Sequence, residues 1–418
     1  MPVSVCTTYF PVTLQHRARY NLTADMIKNN AHMNYVNNKW PLMTAIMLAI
    51  TISSPAQPPR GPLVVSPVVL PDRKVTFRYL APQAKQVSLN AQFDKGSLPM
   101  VRDSAGIWSV TTSPVKPDIY PYSFIVDGIT VMDPANGEYF PNERFKASLV
   151  NIPGFTPLIH EMRNVPHGSV TYEYYPSAEG TIGSLLVYTP PGYRSSTAEK
   201  YPVFYLISGT TDTEETWFKV GKVNLILDNL IAEGRARPMI IVMPYGNVMA
   251  RIAEQKQGMK PADPSGRETP DALARAAAFE KDLVNNILPY IEKNYSVYTD
   301  KANRAIGGFS RGGGQTLRTA FGNSDKFGSI CCYSSYLTTT EMEKQYPDIL
   351  ANAAGTNGNF QLFWIGVGVD DFLYQPVAEF MNVLKSKDIK YKSLVSLGGH
   401  TWMNTKLYLA ETVQLLFK

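Results

Sequence analysis

The sequence predicts an α/β protein with a mostly parallel sheet, preceded by a small all-β sandwich of immunoglobulin-like type. Three observations carry this expectation. From residue 168 onward, buried-type apolar strands alternate with segments of helical period, which requires helices on both faces of a parallel sheet. Between residues 68 and 152 the strands are short, alternate in polarity and lack any helical period. One strand-to-helix transition carries the pattern G-x-S-x-G. The 418 residues allow two or three domains, and 44% hydrophobic against 18% charged residues is a globular balance. The net charge of +5, from 40 Lys and Arg against 35 Asp and Glu, is spread without a dense basic run, so nothing points to nucleic acid. Three cysteines are too few for a disulfide scaffold. Cys331 and Cys332 are adjacent and would pair only through a strained ring, so all three read as thiols.

Residues 1–57 read as an N-terminal extension and signal peptide. The apolar run 40–52 is preceded by Lys39 and followed by the small residues Ser54 and Ala56, a secretory pattern with cleavage after Ala56. The run is too short to span a bilayer core of about 30 Å. Translation starting at Met33 accounts for the residues upstream. The competing readings are a buried helix or a membrane anchor. With cleavage, the expectation is a secreted or periplasmic protein free of the membrane.

The domain 58–152 begins with an extended lead-in set by Pro58, Pro59, Pro62 and Pro67. Strands follow at 75–79, 86–90, 107–111 and 120–126, and Asp127-Gly128 is a hairpin turn before 129–131. Trp108, Tyr120 and Tyr122 occupy alternating strand positions, either as core or as a platform for sugar rings. Residues 153–167, with Pro153, Pro157 and Pro166, form a linker. In the domain 168–418, strands are expected at 185–188, 203–207, 239–243, 305–309, 360–367 and 392–397. Helices are expected at 223–233 and 279–294, the latter from Leu283, Ile287, Leu288 and Ile291. The stretch 248–278 reads as polar and helix-poor before Ala272, either a lid or a surface loop at the sheet edge where ligands bind.

Gly308-Phe309-Ser310-Arg311-Gly312 supplies the chemistry. It follows an apolar strand and precedes a helix-compatible segment, 315–321, the setting in which a serine sits exposed on a sharp turn. Ser310 is the expected nucleophile, and it needs a base. Of five histidines, only His400 falls within this domain, in a loop after a strand. The orienting acid belongs between the two, after another strand. Asp370 and Asp371 both sit there, and spacing does not separate them. Oxyanion stabilisation requires two backbone N–H groups. Arg311 supplies one, and Thr210, in Ser208-Gly209-Thr210-Thr211-Asp212, supplies the second. Trp217 either walls the acyl pocket or packs. Trp402 is a second expected substrate contact. No His/Cys/Asp cluster has metal-ligand spacing, and no cofactor is expected.

Two resemblances follow from these residues. The order Pro71-Asp72-Arg73-Lys74-Val75-Thr76-Phe77, Ala81-Pro82, Gly106-Ile107-Trp108, Val126-Asp127-Gly128 and Asp133-Pro134 resembles the family-48, early-set carbohydrate-binding modules. The order Ser, Asp, His, with Tyr201-Pro202-Val203, Phe279-Glu280-Lys281-Asp282-Leu283, Asp370-Asp371-Phe372-Leu373-Tyr374 and Gly399-His400-Thr401-Trp402, resembles the esterase D-type branch of α/β-hydrolases. Within it, feruloyl and acetylxylan esterases of carbohydrate esterase family one are most similar. The resemblance implies an α/β-hydrolase fold and aligns the catalytic acid with Asp371. Three departures stand out: Ser208-Gly209 replaces His-Gly, Arg311 replaces a common Met, and Thr405-Lys406 replaces Trp-Arg.

The resulting expectation is a secreted serine esterase that releases hydroxycinnamoyl groups such as ferulate from arabinoxylan, with possible polysaccharide binding by the sandwich. Acetylxylan esterase and siderophore (enterochelin-type) esterase are the alternatives on the same scaffold. A catalytically dead carbohydrate-binding protein is the alternative outside it.

Overall fold

The computed structural model describes residues 63–195, 198–256 and 270–418. The expected signal segment and Cys6 lie outside these residues.

The first domain is a two-sheet antiparallel sandwich. One sheet has the order β1 (Val68–Val69), β2 (Val75–Leu80), β6 (Ile107–Thr111), β5 (Val101–Arg102). The other runs β4 (Ser97–Pro99), β3 (Val87–Ala91), β7 (Asp118–Val126), β8 (Ile129–Val131), with β9 (Ser148–Ile152) on the second edge of β7. The period of two places Phe77, Leu89, Trp108, Tyr122 and Phe124 in one shared core. Each fully buried aromatic there contributes about 1.5–3 kcal/mol. The β7–β8 turn has Asp127 at φ 47° and Gly128 at φ 87°, the left-handed pair that a two-residue hairpin demands. Trp108, Tyr120 and Tyr122 are 8%, 4% and 1% exposed, so the core alternative holds and they form no sugar platform.

The second domain is built on an eight-stranded sheet of order β10 (Ser169–Pro176), β11 (Ile182–Thr189), β13 (Ile240–Pro244), β12 (Val203–Ile207), β14 (Arg304–Phe309), β15 (Ser329–Tyr333), β16 (Leu362–Gly368), β17 (Lys392–Ser396). The pairs β10–β11 and β11–β13 are antiparallel, and the remaining pairs are parallel. Both faces are buried. On β12, Val203, Tyr205 and Ile207 face one core while Phe204 and Leu206 face the other. Helices Pro270–Asp282, Arg311–Gly322 and Tyr374–Ser386 cover the first face through Phe279, Leu317 and Phe380. Helices Val223–Ala232 and Trp402–Val413 cover the second through Leu227, Leu230 and Leu409. Cys331 and Cys332 occupy consecutive positions on β15 as fully buried thiols, one in each of the two cores.

The two domains share a core. Ile119 on β7 turns away from the sandwich and joins Phe140, Ala147 and Leu149 against the second face of the large sheet. At this junction the buried Lys406 ammonium pairs with the Asp118 carboxylate. His160 Nε2 lies 3.8 Å from the same carboxylate. Burial, and then the Lys406 and Lys222 charges, push His160 down to about 4, so it is neutral at pH 7 and the ion pair is Lys406–Asp118 alone.

Three sequence expectations change. The polar stretch after β13 opens with a helix, Val248–Gln255, whose Val248 and Ile252 enter the core. Its Arg251 is 5% exposed and pairs with buried Asp282 at 2.9 Å. The start of the supposed loop is therefore core, and residues 257–269 lie outside the described residues. The helix expected at 279–294 passes through a π turn at Leu283–Ile287. The linker is anchored: Asn229 Nδ2 donates to the carbonyls of Ile159 and Glu161 at 2.7 and 2.9 Å.

Candidate active site

Ser310 occupies the single residue between β14 and the helix Arg311–Gly322, at φ 56° and ψ −121°. A non-glycine residue there costs about 1–3 kcal/mol and persists only when its surroundings hold it. Its amide donates to Tyr333 O at 2.9 Å, tying the turn to the end of β15. Both flanking glycines are sterically required. A Cβ on Gly308 would lie 2.4 Å from Gly312 O, and one on Gly312 would lie 2.4 Å from Ile207 O. The G-x-S-x-G pattern thus has a direct cause in backbone packing.

His400 follows β17 on a short loop, just before the helix Trp402–Val413. Asn404 holds that loop by donating to Leu397 O at 2.8 Å. The imidazole lies between the rings of Phe309 and Phe372, with centroids 4.6 and 4.5 Å away. Its Nδ1 is 3.0 and 2.9 Å from the two carboxylate oxygens of Asp371. Nε2 is left as the ring nitrogen that can take a proton from a hydroxyl. Burial pushes the Asp371 carboxyl up, but hydrogen bonds from His400 and the Leu373 amide outweigh it and hold it below its ordinary value. Asp371 is 4% exposed, whereas Asp370 faces solvent. The geometry separates the two carboxylates that spacing left equivalent.

Beside the Ser310 turn, at the end of the neighbouring strand β12, lies the loop Ser208-Gly209-Thr210-Thr211-Asp212. The Thr210 amide is without an acceptor among the described residues, and Arg311 opens its helix, so its N–H has no intrahelical partner. Thr211 sits at φ 64°. Asp212 is buried, and its carboxylate accepts from Gly209 N–H and Asn142 Nδ2, each at 3.1 Å. Burial pushes the Asp212 carboxyl up to about 7, against the pull of Arg311 and these two donors. The Arg311 side chain turns to this loop as well, Nη2 donating to Gly209 O at 2.9 Å. The cation expected beside Ser310 is thus engaged with the loop that carries Thr210.

Ser310, His400, Thr210 and Trp402 line one cavity of about 530 Å³, within the size range of small-molecule sites. Trp217 does not line it. At 1% exposure it packs behind Trp402 and beside Tyr333, with centroids 4.8 and 6.1 Å away, so of the two expected substrate contacts only Trp402 reaches the cavity. A second concavity of about 640 Å³ lies between Glu173 on β10 and Tyr290 and Tyr295 at the helix Leu288–Asn294, and among the described residues it holds no nucleophile–base pair. Among the described residues no group of three His, Cys, Asp or Glu could hold a metal, and no helix is long and apolar enough to cross a membrane.

Sequence reasoning missed the wall contributed by the sandwich domain: Gln92, Pro121, Phe140, Asn142 and Phe145 also line the cavity. No local pattern marks them. Asn142 and Asp212 are 70 positions apart, and only the docking of two domains brings them together.

Comparison with known proteins bears on this geometry. The Esterase family model matches residues 181–402, which include Ser310, Asp371 and His400. The chain is 30% identical over 361 residues to an endo-1,4-beta-xylanase/feruloyl esterase of Xylanibacter ruminicola, covering 84% of this chain and 46% of that protein. It is 31% identical over 157 residues to endo-1,4-beta-xylanase Y of Acetivibrio thermocellus, covering 35% and 12%. The chain therefore spans less than half the length of either relative. A ferulic acid esterase from Anaeromyces mucronatus, solved with ferulic acid, superposes with a TM-score of 0.51 at 22% identity, over 62% of this chain and 93% of that one. The enterobactin esterase of Shigella flexneri superposes at 0.53 and 15% identity, over 82% and 93%. At such identities these two likenesses concern the fold, which is that of α/β-hydrolase esterases.

Proposed function

Because the chain belongs to the esterase family, we propose that it hydrolyses carboxylic esters through Ser310, His400 and Asp371, with hydroxycinnamoyl esters of plant xylan as its substrates. The observation that carries the reading is the half-buried, strained Ser310 in one cavity with an imidazole whose Nδ1 is held by a buried carboxylate. Ser310 Oγ attacks the ester carbonyl while His400 Nε2 takes its proton. The ionised Asp371 fixes the tautomer and stabilises the imidazolium. The oxyanion accepts from the N–H groups of Arg311 and Thr210. His400 then protonates the departing alcohol, and an acyl group remains on Ser310. A water molecule, deprotonated by His400, attacks that acyl group; the bond to Ser310 Oγ breaks as His400 returns the proton to it, and the acid leaves.

The xylan half of the reading draws on the Xylanibacter relative, whose name joins xylanase and feruloyl esterase. Phe309, Phe372 and Trp402 supply apolar walls suited to an aromatic acyl group. A polysaccharide would meet the sandwich domain at the cavity rim, through Gln92, Pro121 and Phe145. Export belongs to the same reading, and its support is the apolar run 40–52 with its small flanking residues.

The test is acid release, resolved by chromatography, from methyl ferulate, acetylated xylan and feruloylated arabinoxylan, with wild type and Ser310→Ala side by side. Ferulate released by wild type alone is the expected result. Acetate alone would make the protein an acetylxylan esterase. Silence on all three, with siderophore esters and p-nitrophenyl acetate also intact, would leave a carbohydrate-binding protein without catalysis.

A further inference from the structure

The sandwich domain reaches the loop beside the Ser310 turn by a short strap. Asn142 and Asp212 form an isolated antiparallel bridge, and Glu143 N donates to Thr211 O at 2.8 Å. Asn142 Nδ2 donates to Asp212 Oδ1, while Asp212 Oδ2 accepts from Gly209 N–H. Both Asn142 and Asp212 are nearly fully buried, at 4% and 5% exposure. The residues between them in this chain of contacts are Thr210, whose amide is free to donate, and Thr211, in the left-handed region. A loop holding a residue at positive φ relaxes unless something outside it fixes the backbone. Here the fixing partner is another domain.

Resting on the esterase reading above, we propose that Asn142 and Asp212 are positioning residues for the oxyanion loop, so that the sandwich domain sets the catalytic rate as well as flanking the site. Asn142 holds the buried carboxylate, the carboxylate holds the Gly209 amide, and the Gly209–Thr211 turn then presents Thr210 N–H to the reacting carbonyl oxygen. Arg311 clamps the other side through Gly209 O. Donors fixed in advance of the reaction stabilise charge that develops only in the transition state, so a displaced donor lowers kcat and leaves ground-state binding alone.

Two substitutions isolate the link between the domains. In Asn142→Asp the side chain still accepts from the amides of Arg144 and Phe145, which shape its own turn, but it can no longer donate to Asp212 unless it takes up a proton. In Asp212→Asn an oxygen remains for Gly209 N–H, but the amide group faces the Asn142 amide, donor to donor. The double variant Asn142→Asp/Asp212→Asn restores a complementary pair with the original net charge. The experiment measures kcat and KM on p-nitrophenyl acetate, inhibition by phenylboronic acid as a tetrahedral-adduct probe, and melting temperature, with Ser310→Ala as control. Each single variant is expected to lose about 10–100-fold in kcat, less than the 10²–10³ of deleting a donor outright. KM should stay within about twofold, boronate affinity should fall in parallel with kcat, and the double variant should recover most of the loss. Singles within twofold of wild type in kcat, a rise in KM at constant kcat, or losses that multiply in the double variant would each overturn the proposal. Should one single fail to fold, the other and the double still decide it. Activity surviving in Ser310→Ala would instead refute the esterase mechanism itself, a separate outcome.

Discussion

The two sides of the cavity are built in different ways. On the side of the proposed triad, Ser310, Asp371 and His400 all come from the ends of parallel strands or the loops just beyond them, within about a hundred residues of sequence. Each is held by its own domain: Ser310 by Tyr333, Asp371 by the Leu373 amide, and the His400 loop by Asn404. On the side proposed to hold the oxyanion, the loop after β12 leans on a domain that precedes it by some 70 residues. One side is self-contained, and the other is completed by docking. A site assembled in this way ties its chemistry to the integrity of an interface that carries no reacting group.

That contrast can be broken or sharpened by experiment. The largest effect belongs to the self-contained side: Ser310→Ala should lower kcat by on the order of 10⁶-fold at unchanged melting temperature, measured on an aryl ester. Next, Asp371→Asn should cost about 10⁴-fold by leaving the wrong imidazole tautomer, whereas Asp370→Asn stays near wild type. Equal losses in the two aspartate variants would contradict the buried-versus-exposed distinction.

The interface should respond in stability. Lys406→Met strands the Asp118 carboxylate, and breaking a buried pair from one side costs about 3–5 kcal/mol, read from urea denaturation. Adding Asp118→Asn should return part of that loss. No recovery would mean that Lys406 acts through packing rather than through its charge.

A smaller effect depends on pH. His160 has its pKa lowered to about 4 when folded, from the ordinary 6.5, so between these values the unfolded chain binds more protons. Stability is therefore present above about 6.5 and is lost as pH falls through that window, by on the order of 3 kcal/mol. His160→Gln should flatten that slope in urea midpoints taken at pH 7 and pH 5. Asp212 acts with the opposite sign: its carboxyl is raised to about 7, so its contribution is lost as pH rises from about 4 toward 7. The two sides of the junction should thus pull the stability curve in opposite directions.

The same contrast governs what could be read from sequence. The sandwich strands, the hairpin at Asp127-Gly128 and the buried parallel strands follow from periods of two and from short apolar runs, which are local. The G-x-S-x-G turn is legible because both glycines answer to contacts within a few residues or on the adjacent strand. Asp371 needed the resemblance to tell it from Asp370, since only burial distinguishes them. The helix Val248–Gln255 was missed because its polar Arg251 is buried by a salt bridge to Asp282, a contact 31 positions away. Proximity to the loop leaves Trp217 open between pocket wall and packing, and its ring lies one layer beneath the cavity, in the packing role. Asn142 had no local signal at all, because its meaning depends on where Asp212 is brought by the fold.

The adjacent thiols on β15 have a use as a clock. Burial pushes the Cys331 thiol up to about 12 and its neighbour higher still, so neither forms an appreciable thiolate in the native state. A maleimide or disulfide reagent can reach them only when the middle of the large sheet opens. In a Cys6→Ser chain, the rate of labelling under native conditions would therefore report how often the central strands part. Compared between wild type and an interface variant, it would tell whether undocking the sandwich loosens the whole sheet or only the loop it touches.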